Sequence, residues 1–483
     1  MEAVTDTNIS SFGPVDRPSR GGLDAATEDA RTAALDADPG PADPTQYHPL
    51  RGRLEAVRLR LPKLYRATFV EPFIATLNSL GEADFNQLLL GDPTRERAGG
   101  LMMDISQAVL QQGEGFLATA TDAFQEVVSD LYDGFLSAED RRGVKTPDQG
   151  VIPPLVKWGR PDFGPYTWPV DATSSFNVQA GVVNLPPANA RAGLLAWSAL
   201  GHETAGHDIL HADTGLAEEL AERIRQDLTG LDAGLADYWA ERIDETASDV
   251  MGILNIGPAA GIGLIGYFRG LSAAFGGGGK LRSVGPESDL HPADILRGFL
   301  AAEVVSLLCF KNRAAWQKLI LKETLEDVGT IQLAGVTVPL EKAQHSAQIV
   351  AKTLVLYKAE SLEHHALGDI QNWRDRDELK VKALRFALRN ATQPSPSVLA
   401  GTYAAHVVAA GVVEAISDGA HIPQIFSRML AILKAMHDKN PAWGPLFVQQ
   451  PGSISRHRFY VPQVLEPELA TSESQPVSPV APS

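Results

Sequence analysis

The spacing of two histidines most constrains how this chain can fold. The imidazoles of His202 and His207 lie five residues apart in the segment 201–208, Gly-His-Glu-Thr-Ala-Gly-His-Asp. On a regular α-helix this spacing separates two side chains by about 140°, so they can share one role only if the helix contains a wide turn. Such π-type turns occur mostly at functional sites. Because Gly206 tolerates this distortion most easily, the sequence predicts a distorted helix here.

A glutamate roughly forty residues later supplies the third part of a metal centre. Glu245 stands in the segment 244–249, Asp-Glu-Thr-Ala-Ser-Asp, within a strongly helical context. Two imidazoles and one carboxylate bind zinc in many hydrolases and leave a fourth position open for water. Glu203, beside the first histidine, is then placed to take a proton from that water. The pattern therefore predicts a zinc-dependent hydrolytic site.

Together the two segments resemble the dipeptidyl peptidase III type of gluzincin, a family of zinc metallopeptidases. The resemblance is carried by His-Glu-x-x-Gly-His, with its one-residue insertion, and by the following Glu-x-x-x-Asp helix. It implies a zinc cofactor, a peptide or protein substrate and three zinc ligands, His202, His207 and Glu245. It further implies that Glu203 is the general base and that Asp249 is an outer carboxylate holding an imidazole N–H.

This resemblance is confined to residues 202–249. The second motif of the family normally opens with two glutamates, whereas this chain has Asp244 before Glu245, so the ligand position itself is kept. Nothing outside the segment resembles dipeptidyl peptidase III. The resemblance therefore implies zinc-dependent peptide hydrolysis but no substrate preference.

A second catalytic candidate is His291. Pro292 favours the first turn of a helix, which would leave His291 exposed at the helix cap, and Arg297 follows downstream. Some gluzincins carry a His-Pro segment with a downstream arginine, and the resemblance implies that this histidine, His291, or a tyrosine can stabilise the oxyanion of the tetrahedral intermediate. The alternative is a helix start without a chemical role. Three further donors could reach the metal: Tyr267, Tyr403 and His406.

Other interpretations of the same residues stay open. The segment 207–211, His-Asp-Ile-Leu-His, is similar to the His-Asp motif of metal phosphohydrolases, which also needs an earlier histidine; the chain offers His48 and His202. A structural zinc with His211 as fourth ligand is another alternative, although closed sites favour cysteine. A buried helix with hydrogen-bonded histidines is a third. The fourth is a non-catalytic zinc-fold binding or assembly module, over which the presence of Glu203 favours catalysis.

Three neighbouring segments are expected to shape the site. Residues 182–185, Val-Val-Asn-Leu, are predicted to form a short edge strand that could pair with an extended peptide; the alternative is an ordinary small sheet that covers the helix. Apolar residues recur every fourth position over 216–228, which predicts an amphipathic helix, and a helix–loop–helix connection would return Glu245 to the histidines. Residues 250–268 contain no charge but many glycines. We expect them to form packed interior rather than a membrane span.

Composition limits the partners and the compartment. The chain has 42 Lys plus Arg against 59 Asp plus Glu, a formal net charge of −17, which argues against a nucleic-acid or anionic-membrane partner. No basic segment followed by an apolar stretch begins the chain, so no secretory signal is visible. The single cysteine, Cys309, excludes a disulfide framework and is expected to be a buried thiol in a cytoplasmic protein. The oligomeric state does not follow from the sequence.

The expected architecture is mainly α with small β elements, built around a zincin-like active-site helix and an adjacent glutamate helix. The chain is long and apolar enough to bury a large core, with 44% hydrophobic residues. A hairpin is predicted at 330–338. The expected regions are a disordered N-terminal tail (1–45), an N-terminal helical region (46–150), the zinc-binding catalytic core (151–282), a C-terminal helical region (283–461) and a disordered Pro/Ser-rich tail (462–483).

Overall fold

The computed structural model describes residues 18–136, 144, 147–149 and 152–444. Helices dominate this part of the chain, and its strands form two sheets of three strands each. The predicted class, mainly α with small β elements, is therefore confirmed. The predicted tail residues 1–17 and 462–483 lie outside the described residues.

The helical elements are numbered in chain order. The α-helices are α1 (Arg20–Ala34), α2 (Tyr47–Val57), α3 (Lys63–Tyr65), α4 (Glu71–Gly91), α5 (Ala98–Glu114), α6 (Ala118–Leu136), α7 (Val170–Thr173), α8 (Leu216–Thr229), α9 (Ala233–Ala240), α10 (Ile243–Ile256), α11 (Pro258–Ala274), α12 (Asp294–Leu307), α13 (Arg313–Glu326), α14 (Leu340–Leu356), α15 (Leu367–Ile370), α16 (Asp375–Asn390), α17 (Pro396–Leu399), α18 (Ala404–Ala415) and α19 (Ile422–His437). Short 3-10 helices are Arg58–Arg60, Pro161–Phe163, Ser174–Phe176, Pro187–Ala190, Leu194–Ala199 and Glu360–Leu362.

Two helical segments are π-helical, Arg66–Val70 and Gly201–Asp208. We call the second of these the histidine helix, and α10, which carries Glu245, the glutamate helix. The strands are β1 (Leu155–Trp158), β2 (Tyr166–Trp168), β3 (Val182–Leu185), β4 (Val284–Gly285), β5 (Gln332–Leu333) and β6 (Val336–Thr337).

The first sheet has the strand order β1–β3–β2, with β3 parallel to β1 and antiparallel to β2. The predicted strand over 182–185 is confirmed, but its predicted edge position is wrong, because β3 is paired on both sides. The strand that covers its other edge, β1, contains Lys157 among apolar residues, and this charge concealed the strand in the sequence. β2 forms the edge that lies against the histidine helix.

Each face of this sheet packs on a different hydrophobic core. Leu155, Trp168 and Val182 belong to the core built mainly by α2, α4 and α5. Val156 and Val183, which point to the opposite face because strand residues alternate, belong to the larger core that contains α6, α8 and α10–α12. The sheet is therefore buried on both faces, and it supports the histidine helix from a fixed position.

An N-terminal helix corrects the prediction of a disordered tail over residues 1–45. α1 begins after Ser19, whose hydroxyl caps it, and packs along α11, where Gly266 leaves room for its side chains and Gly270 for its backbone. The small residues on α1 produced no apolar period in the sequence, yet they let the two helices approach closely. The buried residues of α1 include Leu23, Ala26, Ala30 and Ala33.

The uncharged stretch 250–268 is divided between α10 and α11. These helices meet at Gly257, whose φ of 70° lies in the left-handed region and whose Cβ position is closed by the Trp373 ring. Nearly all of the stretch is buried, as expected for packed interior. Within the described ranges, no helix combines the length and the apolar character that crossing a membrane requires.

The C-terminal half contains the predicted hairpin and one correction. β5 and β6 pair antiparallel, which confirms the hairpin at 330–338, and β4 joins β5 in parallel. The expectation that Cys309 is buried is wrong, because its side chain is exposed. Cys309 lies just past the end of α12, where its backbone N–H donates to the Trp373 carbonyl.

Candidate metal centre

The histidine helix contains the wide turn that the five-residue spacing requires. All eight residues of Gly201–Asp208 are π-helical, so this prediction is confirmed. The Nε2 atoms of His202 and His207 lie 3.1 Å apart, and the planes of the two rings meet at 85°. Both imidazoles therefore direct one nitrogen to the same point.

Gly206 has a second role, in the crossing of two helices. A Cβ atom at Gly206 would lie 2.2 Å from the Cβ of Ser248 in the glutamate helix. A Cβ atom at Gly252, one turn later, would lie 3.0 Å from the backbone nitrogen of His202. Glycine at both positions allows the two backbones to touch. This close crossing brings Glu245, about one turn before Ser248, to the histidines.

Glu245 completes a compact group of three ligand atoms. Its Oε2 lies 3.2 Å from Nε2 of His202, and its Oε1 lies 3.4 Å from Nε2 of His207. Ligands of a tetrahedral zinc ion are separated by roughly 3.3 Å, given bond lengths of about 2.0–2.1 Å, so these separations suit such an ion. Among the described residues, none makes a hydrogen bond of acceptable geometry to the buried Oε2. His202, His207 and Glu245 could therefore hold a metal ion.

Asp249 holds the His202 ring through Nδ1, and Arg297 in turn holds Asp249. Oδ1 of Asp249 lies 2.8 Å from Nδ1 of His202, which places the ring proton on Nδ1 and leaves Nε2 free for a metal. Arg297 donates to both carboxylate oxygens of Asp249, each at 2.7 Å. Burial raises the pKa of Asp249, but the charge of Arg297 and the bond to His202 outweigh it and lower the pKa. The carboxylate therefore stays ionised.

The charges of the centre favour a bound cation. Burial would raise the pKa of Glu245, but attraction by His291, His202 and His207 holds it well below its ordinary value. Burial would likewise lower the pKa of His202, whereas the carboxylates of Glu245 and Asp249 raise it to about 10. These carboxylates stabilise positive charge at the imidazole. A metal ion would supply that charge in place of the proton, so metal binding would release a proton.

Glu203 lines the same cavity as the ligand group. The cavity has a volume of about 520 Å³, and Glu203, His202 and Glu245 contribute to its wall. The Thr167 hydroxyl, on edge strand β2, lies 2.9 Å from Oε2 of Glu203 and 3.0 Å from the Glu203 carbonyl oxygen. Thr167 therefore anchors Glu203 to the sheet. The one sequence signal for Thr167 is its place between two aromatic residues, Tyr166 and Trp168.

His291 reaches the centre from a loop rather than from a helix cap. α12 begins at Asp294, so the expectation that Pro292 occupies its first turn is wrong. Nε2 of His291 lies 3.3 Å from Oε1 of Glu245, and its Nδ1 lies 3.0 Å from Oδ1 of Asp289. His291 is outside the three-ligand group but lines the cavity. It is thus beside the ligands, and the sequence gave no sign of its partner Asp289.

Tyr267 is the second donor in the cavity. Its side chain lines the wall, and its hydroxyl has no hydrogen-bond partner within the part of the chain that the structure describes. Burial and the negative charge of Glu203 raise its pKa, so the hydroxyl keeps its proton. Of the other two donors considered, His406 lies 3.1 Å from Asp377 and Tyr403 precedes α18. Neither of these lines the cavity.

His211 does not join the ligand group. Its Nδ1 lies 3.4 Å from Asp171 and its Nε2 lies 3.0 Å from Asp244. Burial lowers the pKa of His211, but hydrogen bonds to these two carboxylates raise it to about 10. His211 is therefore a charged imidazolium between two acids, which does not fit a fourth zinc ligand.

The residues of the alternative His-Asp motif are likewise not brought together. Asp208 accepts a hydrogen bond from the Val170 N–H at 2.9 Å, on the side of the histidine helix that faces α7. Burial raises the pKa of Asp208 to about 7. His48, one of the earlier histidines, lies on α2 beside Glu82 at 3.4 Å. The residues of that motif are thus not gathered at one metal site.

Comparisons with protein-family models, with characterised proteins and with solved structures found no match to this chain. The geometry described above is therefore the basis on which a function can be proposed.

Proposed function

We propose that this chain is a zinc-dependent metallopeptidase in which Glu203 is the general base. The observation that carries the proposal is the convergence of His202, His207 and Glu245, whose ligand atoms lie within 4.8 Å of one another. Two imidazoles and one carboxylate form the ligand set of many catalytic zinc sites. When bound, zinc would polarise a peptide carbonyl and make water a stronger nucleophile.

The position of Glu203 supports its role as the base. It follows the ligand His202 directly in the chain and lines the cavity beside it. The Thr167 hydroxyl holds one carboxylate oxygen at 2.9 Å, which leaves the other oxygen for the attacking water. Glu203 would take a proton from this water and pass it to the leaving amine.

Two side chains in the cavity can donate a hydrogen bond to the developing oxyanion. We assign this role to His291, because Asp289 orients its ring through Nδ1 at 3.0 Å while Nε2 faces the ligand Glu245. Tyr267, whose protonated hydroxyl has no partner among the described residues, is the alternative donor. A preorganised donor of this kind stabilises the charge that forms on the carbonyl oxygen.

The test compares wild type with Glu203→Gln, His207→Ala and His211→Ala after a chelator wash and reloading with one equivalent of zinc. Zinc content is measured by elemental analysis, and hydrolysis with a mixed library of fluorogenic peptides. Wild type, Glu203→Gln and the control His211→Ala are expected to retain about one zinc per chain, whereas His207→Ala loses it. Glu203→Gln is expected to hydrolyse peptides more slowly by a factor on the order of 10²–10⁴.

Each other outcome has a defined meaning. Equal activity of wild type and Glu203→Gln would exclude Glu203 as the base. Zinc retention without hydrolysis of any peptide would support the non-catalytic binding or assembly module. A wild-type chain that retains no zinc would overturn the metal centre itself.

A further inference from the structure

One wall of the cavity is apolar and is built by two helices. The lining residues of α11 recur at helical spacing along one face, and they include Leu264, Phe268 and Leu271; Phe275 follows directly after the helix and also lines the cavity. Because an α-helix rises 1.5 Å per residue, the helical part of this stripe, from Leu264 to Leu271, is about 10 Å long. α1 contributes small side chains to the same cavity, Ala30, Ala33 and Ala34.

The apolar stripe leads from the metal centre to solvent. Within the stripe, the guanidinium of Arg297, which orients Asp249, lies 4.5 Å from the centre of the Phe268 ring. At its outer end Phe275 is 45% exposed. The stripe is therefore continuous with the site of the proposed reaction and open at its far end, as a channel for an extended ligand requires.

The α1 side of this wall is held rigidly. A Cβ atom at Gly270 of α11 would lie 2.8 Å from the Cβ of Ala30, and one at Gly22 of α1 would lie 2.3 Å from the Ile416 carbonyl oxygen. The Asp29 carboxylate also accepts a hydrogen bond from the Leu194 N–H at 2.9 Å. These contacts fix how far α1 stands from α11, and so fix the space beside Ala34.

The buried charged side chains near the metal centre are paired, whereas Asp36, Asp162 and Lys280, which also line the cavity, are exposed. Arg282 pairs with Asp289 and Asp294, and Arg297 pairs with Asp249. A ligand group that lies between Ala34 and the α11 stripe meets apolar side chains, and the exposed charges of Asp36 and Lys280 lie outside these two helices. Burial of apolar area is the main interaction that this wall offers.

We propose that α1 and α11 form an apolar acceptor channel for the substrate, and that Ala34 sets the size of the apolar group that the channel accepts. The occupant is a peptide segment with apolar side chains next to the bond that is cleaved. The identity of that bond rests on the proposed function. Ala34 is the position of choice because it is half-buried and lines the cavity, whereas Ala30 and Ala33 are packed inside.

The test uses alkyl hydroxamates from acetohydroxamate to octanohydroxamate, whose head group chelates metal and whose tail lengthens one methylene at a time. Their affinities are measured by calorimetry for the zinc-loaded wild type, for Ala34→Leu and for Ala25→Leu. Ala25 lies on the same helix but is exposed and does not line the cavity, so it provides a matched control. Octanamide, which has the tail without the chelating group, is titrated in parallel by ligand-observed NMR.

In the wild type each added methylene is expected to lower Kd about two- to fourfold. Ala34→Leu is expected to leave acetohydroxamate binding within about twofold and to weaken octanohydroxamate at least about tenfold, because the tail and the added side chain compete for the same space. Ala25→Leu is expected to change neither. The affinity for octanamide is expected to change in each variant in the same way as the affinity for octanohydroxamate.

Different results would contradict the proposed channel and the proposed metal centre. Acetohydroxamate binding without any gain from longer tails, or equal effects of Ala34→Leu and Ala25→Leu, would overturn the channel and leave the metal centre intact. Loss of all metal-dependent hydroxamate binding, with octanamide still weakened by Ala34→Leu alone, would overturn the proposed function and support the channel. If octanamide binding were also the same in all three proteins, both would be wrong.

Discussion

Gly206 of the histidine helix packs on Ser248 of the glutamate helix with no space for a side chain: a Cβ atom at Gly206 would lie 2.2 Å from the Cβ of Ser248 and 2.3 Å from its Cα. This contact joins the helix that carries both histidines to the helix that carries Glu245. The distance between the helices therefore controls whether the three ligand atoms meet.

Gly206→Ala is expected to separate the two helices and to weaken both folding and metal binding. Overpacking of this kind costs about 1–3 kcal/mol of folding free energy, and we expect zinc affinity to fall at least about tenfold. Gly230→Ala is the matched control, because Gly230 has a φ of −68° and no neighbour within 4 Å of its Cβ position. Thermal unfolding and competition with a zinc-binding dye measure the two effects. Equal behaviour of the two variants would show that the crossing tolerates a methyl group.

Thr167→Val is expected to lower the rate of hydrolysis without releasing zinc. The substitution removes the hydroxyl that lies 2.9 Å from Glu203 Oε2 and keeps the shape of the side chain. Because a hydrogen bond to a charged group contributes about 1.5–3 kcal/mol, we expect kcat to fall by about 10- to 100-fold while KM and zinc content stay near wild type. Thr167→Ser should restore most of the activity. A parallel loss of zinc would show that Thr167 supports the whole site rather than Glu203.

The variant His291→Asn distinguishes between two roles of His291, as a donor to the oxyanion or as a metal ligand. Nε2 of His291 lies 3.3 Å from Glu245 Oε1, yet His291 is outside the three-ligand group. As a donor to the oxyanion, its loss is expected to reduce kcat by about 10²–10³ with zinc affinity within about threefold of wild type. Steady-state kinetics and zinc titration are measured on the same samples. A fall in zinc affinity comparable to that of His207→Ala would make His291 a ligand.

The His211 ion pairs are expected to make folding stability depend on pH. The folded-state pKa of about 10 lies above the ordinary value of 6.5 for histidine. The stabilisation is therefore complete below pH 6.5 and is lost as the pH rises through about 10. At pH 6 we expect His211→Asn to be about 1–3 kcal/mol less stable than wild type, and this difference should shrink towards pH 10.

Urea unfolding of both proteins at a fixed zinc concentration measures this difference. Asp171, Asp244 and Asp208 are the acids that act on His211, so the measured curve includes the titration of Asp208 near pH 7. A difference that stays constant from pH 6 to 10 would mean that His211 contributes packing rather than charge.

Patterns within one helix were readable from the sequence. The wide turn over 201–208 followed from the five-residue spacing of His202 and His207, because the angle between two side chains on a helix depends only on their separation along the chain. The amphipathic repeat over 216–228 predicted α8 in the same way, and its apolar residues are buried. Local geometry alone determines such features.

Features that depend on partners from other segments were missed. Lys157 obscured strand β1 because its charge is neutralised by Asp104 of α5, 2.9 Å away, a partner that no local pattern indicates. With β1 unrecognised, β3 was placed at the sheet edge. α1 was missed because its burial rests on glycines of α11, more than two hundred residues later in the chain.

Residue type and spacing within one segment were enough to predict the shared direction of the two histidines, the glutamate beside them and the helical context of Glu245. Only the tertiary structure shows that Glu245 lies next to the histidines, that His291 and Thr167 lie close to this group and that α1 lines the cavity. Those relations join segments far apart in the chain. They depend on how closely the helices pack, which Gly206 and Ser248 control at the centre of the site.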